Sequence, residues 1–283
     1  MPNQAGGRSP VSSAYVALAL LSHLQSPAIW PEIARYLRRF VEKRTGLGQA
    51  TLQEEREAAS AWCAEQAVNI TTALATLGIS AAPTELKTLF PDIVDAARAR
   101  AGHGPLPLYE MGLGLAGHSS LLHCLCAHMQ ARRVLETGVA FGWSSLAILL
   151  ALRDRPDALL VSTDMPYLWL RADEWVGGAV PDELRAHWLL LRKPDRLALP
   201  EALAHGPFDL CHYDSDKSVS GRLWAYPRIW ARLRPGGLLV SDDIDDNRAW
   251  RTFCEKVGQR SLVIRKRHKF VGILAKPLTT GEI

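Results

Sequence analysis

The segment Val134-Leu-Glu-Thr-Gly-Val-Ala-Phe-Gly-Trp-Ser-Ser145 constrains this chain more than any other. An apolar run reaching Glu136 turns through Gly138 and Gly142, then continues as Trp143-Ser-Ser-Leu-Ala-Ile-Leu-Leu150, a stretch apolar enough to cover a sheet. The two glycines permit a tight turn and close approach of a ligand to the backbone. Strand, turn and helix in that order place a ligand site at the strand's carboxyl end. The spacing is Gly-x-x-x-Gly, not the Gly-x-Gly-x-x-Gly of a dinucleotide site, and Glu136 would repel a pyrophosphate. A cationic or amine-bearing ligand suits the turn better.

The pattern around this segment predicts an α/β fold, a Rossmann-like doubly wound sheet. Candidate strands are Arg133–Thr137, Leu159–Thr163, Trp188–Leu191, Phe208–Tyr213 and Gly237–Ser241, with helices expected over Trp143–Leu152, Pro181–His187, Leu197–Ala204 and Val219–Leu233. The end reads as helix Arg248–Val257, strand Leu262–Arg265, a basic turn and strand Phe270–Leu274. Strands so closely joined must be antiparallel, so the mostly parallel sheet should finish in an antiparallel hairpin. Residues 1–107 show helical periodicity without a convincing strand. Helices are expected at Ser13–Ser26, Pro31–Lys43, Leu52–Leu77 and Thr84–Ala101, followed by a linker at Gly102–Pro107. Two regions follow: an amino-terminal helical extension (1–107), serving as lid or dimer interface, and a catalytic domain (108–283).

Composition narrows the class. Hydrophobic residues at 48% and charged residues at 22% describe a soluble protein, and no apolar run reaches the ~18 residues of a membrane span. Five scattered cysteines fit reduced thiols better than a disulfide framework, so a cytoplasmic location is expected. The net charge of +4 is mild, and its densest cluster, Arg265-Lys-Arg-His-Lys269, reads as a solvated turn. Nucleic acid is therefore not the expected partner. A small-molecule substrate, no membrane and a homo-oligomer are.

Over roughly residues 108–276 the sequence resembles the class I S-adenosylmethionine-dependent methyltransferases. Glu136, Gly138 and Gly142 fall where that family binds the methionine part of the cofactor, with Ser144 of the same segment counted beside them. Asp164 ends the second strand, where an acid accepts both ribose hydroxyls; a carboxylate can take two hydrogen bonds from a vicinal diol. Asp195 matches a polar position beside the adenine, and Arg234-Pro-Gly-Gly237 precedes the fifth strand as in many members. The closer resemblance is to the catechol-type, metal-dependent O-methyltransferases and their bacterial relatives, through Asp214-Ser-Asp-Lys217 and Ser241-Asp-Asp243. It implies Asp214, Asp242 and Asp243 as Mg²⁺ ligands, Asp214 also bordering the cofactor, and Lys217 as base. Asp243 stands where the catechol enzymes carry Asn, and three carboxylates still suit a hard cation.

Plainer roles compete at several positions. Asp164 could cap a helix, and Asp245 or Asp246 could cap the Arg248 helix. His212 shares a strand face with Asp214, as a second base or a packed histidine. His118, His123, Cys124, Cys126 and His128 lack the second ligand pair of a structural zinc site and read as an ordinary helix. Trp169 and Trp175 offer a substrate wall, and Tyr109-Glu-Met-Gly112 a cofactor or substrate contact. Rival functions are a metal-independent RNA or protein methyltransferase, a nicotinamide-dependent oxidoreductase and a cofactor-binding partner without catalysis.

Overall fold

The computed structural model describes residues 49–103, 118–166, 172–266 and 269–278, with a few isolated positions between 27 and 38. The helices expected at Ser13–Ser26 and over most of Pro31–Lys43 lie outside these residues, as do Trp169 and Tyr109-Glu-Met-Gly112. In chain order the elements are α1 (Gln49–Gln66), β1 (Ala67–Val68), α2 (Ile70–Thr76), α3 (Leu86–Leu89), α4 (Pro91–Gly102), α5 (Ser119–His128), β2 (Arg133–Thr137), α6 (Trp143–Leu152), β3 (Leu159–Thr163), β4 (Trp188–Leu191), α7 (Asp195–Leu203), β5 (Phe208–Tyr213), α8 (Val219–Arg232), β6 (Leu233–Ser241), α9 (Ala249–Val257), β7 (Leu262–Lys266) and β8 (Lys269–Ala275). Short 3₁₀ turns occupy Ala172–Trp175, Asp182–His187 and Ile244–Asp246.

The eight strands form one sheet in the order β1-β7-β8-β6-β5-β2-β3-β4. Only β8 runs against its neighbours, pairing antiparallel with β6 and β7. The terminal hairpin is therefore inserted beside β6, and the doubly wound sheet expected from the sequence is present.

The amino-terminal region departs from its reading. The single helix expected over Leu52–Leu77 breaks at Ala67–Val68, which extends and pairs in parallel with Val263 and Ile264 at the sheet edge. Asn69 then starts a new helix, its Oδ1 accepting from the Thr72 amide at 2.8 Å. Pro91 likewise splits the Thr84–Ala101 prediction, because a helix ends before proline and restarts with it at the first turn. The 3₁₀ turn at Asp182–His187 replaces the helix expected there.

Side-chain alternation divides the core between the two sheet faces. One face packs Val134, Leu160, Leu210 and Val240 under α5 and α6, and Leu74, Val94 and Ala97 of the amino-terminal helices join this layer. The other packs Leu135, Cys211, Tyr213 and Leu239 under α7, α8 and α9. Tyr226, Trp250 and Phe253 interlock there, Tyr226 meeting Trp250 edge-on with ring centroids 5.4 Å apart. Trp250 lies flush on Gly272 of β8, within contact distance of where a side chain would begin. Gly272→Ala should therefore overpack a rigid site and cost about 1–3 kcal/mol. Urea unfolding checks this, and unchanged stability would show that the indole has room to move.

Candidate active site at the strand carboxyl ends

The site is a staircase of strand ends. Beyond the regular ladder, the Gly138 amide donates to the Thr163 carbonyl, Asp164 to Leu191, Asp214 to Thr137 and Asp242 to Tyr213. Each loop residue is thus pinned to the neighbouring strand, and Asp164, Gly138, Asp214 and Asp242 come out side by side. Gly138 has φ +84°, and a Cβ there would lie 2.5 Å from the Asp214 carbonyl oxygen. Glycine is what lets the β2 loop pass beneath Asp214. Gly142, at φ +94°, packs similarly on the backbone of Gly177, and Ser144 stands half-buried at the second position of the helix.

Asp164 faces this loop. Its Oδ2 accepts from the amides of Ala140 (2.7 Å) and Val139 (3.2 Å), and Arg192 lies 3.4 Å from Oδ1. Its role is therefore not to cap a helix. Burial pushes its pKa up to about 6, against the pull of Arg192 and the two amides. Asp195, the first residue of α7, accepts from the Ser215 hydroxyl, and burial raises it to about 6 as well.

Glu136 is fully buried rather than exposed to the crevice. Ser145 and Ser162 donate to its Oε2 at 2.6 and 2.7 Å, and Trp188 donates to Ser162 at 2.8 Å. The parallel register sets Ser162, Glu136 and His212 abreast. His212 Nδ1 lies 3.9 Å from Glu136 Oε1, and Nε2 lies 3.7 Å from Asp242 Oδ1. Burial opposes an imidazolium here, yet the flanking Asp242 and Glu136 carboxylates outweigh it and raise His212 to about 10.

The structure regroups the expected metal ligands. His212, Asp214 and Asp242 each offer an atom within 4.8 Å of the others. Asp243 turns aside, at φ +50°, to ion pairs with Lys217 and Lys269. Lys217 also lies 2.8 Å from Asp214 Oδ1. Burial favours a neutral Lys217, but Asp214 and Asp243 hold it firmly protonated, the opposite of what a general base needs. Burial and Asp242 push Asp214 up to about 6.

Four contributors escaped the sequence reading. Fully buried Arg222 donates to the carbonyls of Asp242 (3.1 Å) and Asp243 (2.8 Å) and holds their turn. Arg192 reaches Asp164, and Lys269, read as part of a solvated turn, reaches Asp243. Asn247, not Asp245 or Asp246, serves the α9 start, accepting from the Ala249 amide at 3.1 Å, while Asp245 accepts from the Phe270 amide. A basic residue after β4 or a lone Arg in an amphipathic helix carries no local signal of such roles. Asn247 before Ala249 was readable as a cap. Trp175 packs against the core, and the His118–His128 helix forms no metal-binding group among the described residues.

Residues 135–244 match the model of a family described as a methyltransferase domain. No curated protein matches the sequence. Among solved structures, an O-methyltransferase from Bacillus cereus in complex with SAH is similar at 15% identity and TM-score 0.50, covering 69% of this chain and 92% of that one. The cofactor-bound protein Rv0187 from MTB aligns at 18% identity and TM-score 0.52, over 70% and 99%. The SAH-bound Podospora anserina methyltransferase PaMTH1 aligns at 16% identity and TM-score 0.50, over 79% and 96%. No helix among the described residues is long and apolar enough to cross a membrane.

Gly138→Ala should cost about 1–3 kcal/mol through its positive φ alone, with displacement of Asp214 added. Urea unfolding reads the cost; a variant as stable as the parent would show that the loop tolerates a side chain.

Proposed function

With a methyltransferase domain at residues 135–244 as its premise, we propose that the chain moves a methyl group from S-adenosylmethionine to a hydroxyl oxygen of a small molecule, with help from a divalent cation. The observation that carries this is the row of carboxylates on the staircase, Asp164, Asp195, Asp214 and Asp242, around a glycine loop in which a Cβ would strike backbone. The cofactor fits these residues. Asp164 suits the ribose diol, Asp195 and Ser215 the adenine side, and the Gly138–Gly142 backbone the amino-acid end. The SAH complexes of the Bacillus cereus and Podospora anserina proteins support the same choice.

S-Adenosylmethionine, when bound, supplies an electrophilic methyl carbon. The protein's part is alignment, which alone is worth ~7–11 kcal/mol. Glu136 acts from beneath, anchoring β2 to β3 through Ser145 and Ser162. For a cation the oxygens of Asp214 and Asp242 fit, since Asp242 Oδ1 is buried without a hydrogen bond among the described residues. Mg²⁺, the ion expected from the sequence, would supply Lewis acidity that lowers the pKa of an acceptor hydroxyl. Lys217, held as an ammonium, is assigned to binding the acceptor's developing oxygen anion rather than to taking its proton.

The first experiment is calorimetric titration with S-adenosylhomocysteine, with Mg²⁺ and with a chelator. Binding supports the cofactor reading, and its absence in folded protein defeats it. Affinity should fall as pH drops through about 6, because the raised carboxyls of Asp164 and Asp195 then protonate and stop accepting in ionised form. Asp164→Asn should weaken binding at neutral pH and flatten that profile; a profile unchanged by the substitution would clear Asp164. Lys217→Met should lower kcat by about 100–1,000-fold with S-adenosylhomocysteine affinity kept. Equal losses in both would make Lys217 a structural residue.

A further inference from the structure

The strand-end cluster holds more than two carboxylates. Glu136 Oε1, both ring nitrogens of His212 and Asp242 Oδ1 are buried and have no hydrogen-bond partner among the described residues. Such orphans are rare in native folds and mark a missing water or ion. Here they converge, and the ring that links them is 2% exposed. The separations of 3.9 Å from Nδ1 to Glu136 and 3.7 Å from Nε2 to Asp242 exceed a hydrogen bond.

We propose that His212 is a metal ligand, and that with Asp214 and Asp242 it selects a borderline divalent cation (Fe²⁺, Co²⁺ or Zn²⁺) over Mg²⁺. This deepens the proposed function and rests on its cation-assisted reading. Metal–donor bonds near 2.1 Å put neighbouring donors of a tetrahedral ion about 3.4 Å apart. The atoms of His212, Asp214 and Asp242, within 4.8 Å of one another, must draw in by up to about 1.4 Å to close on one ion. Mg²⁺ demands oxygen ligands in strict octahedral order, whereas an imidazole nitrogen suits the borderline ions.

The surroundings fit a ligating imidazole. A metal-bound histidine gives its second N–H to a carboxylate, which fixes tautomer and ring orientation. Glu136 stands in that place, its Oε2 clamped by Ser145 and Ser162 and its Oε1 facing Nδ1. Metal binding then displaces the proton from Nε2, which turns its lone pair to the ion beside Asp242. Asp243 is not a ligand in this arrangement; its pairing with Lys217 and Lys269 keeps an anion beside Lys217 when Asp214 turns to the ion. Arg222 braces the Asp242–Asp243 turn from behind.

The test uses the full chain, stripped of metal and titrated with CoCl₂, ZnSO₄ and MgCl₂ by calorimetry. Co²⁺ and Zn²⁺ should bind at least about tenfold more tightly than Mg²⁺, about 1.4 kcal/mol. His212→Gln should abolish that preference while leaving Mg²⁺ affinity in place, and Glu136→Gln should weaken Co²⁺ binding ~10–100-fold. Should either variant fail to fold, the unsubstituted Co²⁺ protein decides: its NMR spectrum should show a hyperfine-shifted, exchangeable imidazole proton from Nδ1–H. Equal affinity for Mg²⁺ and Zn²⁺, undiminished Zn²⁺ binding by folded His212→Gln, or absence of the shifted proton would each overturn the proposal. S-Adenosylhomocysteine is titrated separately, so failure of the cofactor reading is seen independently of the metal result.

Discussion

A carboxylate with no access to water must find its partners within the protein, and Glu136 organises much of this structure by that requirement. It sits at the end of β2, where strands on both sides deliver groups at the same height. Register brings Ser162 from β3 and His212 from β5, and α6 folds Ser145 down from above. Unpaired, the charge would cost more than one ordinary contact recovers. The serines answer one oxygen. The histidine faces the other and carries the charge relation across β5 to Asp242. The Gly138 loop and the Asp214–Asp242 strand ends are thus mechanically joined through a buried polar row, not merely adjacent.

Above that row the backbone settles the remainder of the site. Each strand end donates one more amide to its neighbour than the regular ladder requires, so Asp164, Gly138, Asp214 and Asp242 have little freedom to separate. The positive φ of Gly138 is the condition for this, since any side chain there meets Asp214. The opposite sheet face supports the arrangement indirectly. Tyr213, Tyr226 and Trp250 fill the layer beneath Asp214 and Asp242, and Arg222 ties their turn to α8.

The charges divide the labour among residues that look alike in the chain. Asp242 is held ionised by His118, His212 and Lys217 against its burial, while Asp164, Asp195 and Asp214 are pushed the other way by desolvation. Asp243 is spent on two lysines. The adjacent Asp242 and Asp243 therefore do different work, and the difference comes from where the turn after β6 points each one. The catechol-type pattern grouped Asp214, Asp242 and Asp243, whereas the structure turns Asp243 toward Lys217 and Lys269.

Residues within one strand–turn–helix unit were legible because the signals are local. Apolar runs marked β2, β3, β4 and β5, glycines lie beside β2 and β5, and the aspartates after β3 and β5 marked where a ligand would sit. The break at Ala67–Val68 was not, since two residues adopt strand form only because β7 offers an unpaired edge. The fates of Lys217, Lys269 and His212 were equally out of reach, for each is decided by a partner more than twenty residues away in sequence. The sequence by itself determined the order of strands and helices, the glycine turn and the stock of carboxylates, because backbone geometry and apolar periodicity are properties of neighbours along the chain. Only the tertiary structure decided which carboxylate stays ionised, which lysine is held charged and which histidine faces which acid, because burial and charge act through space.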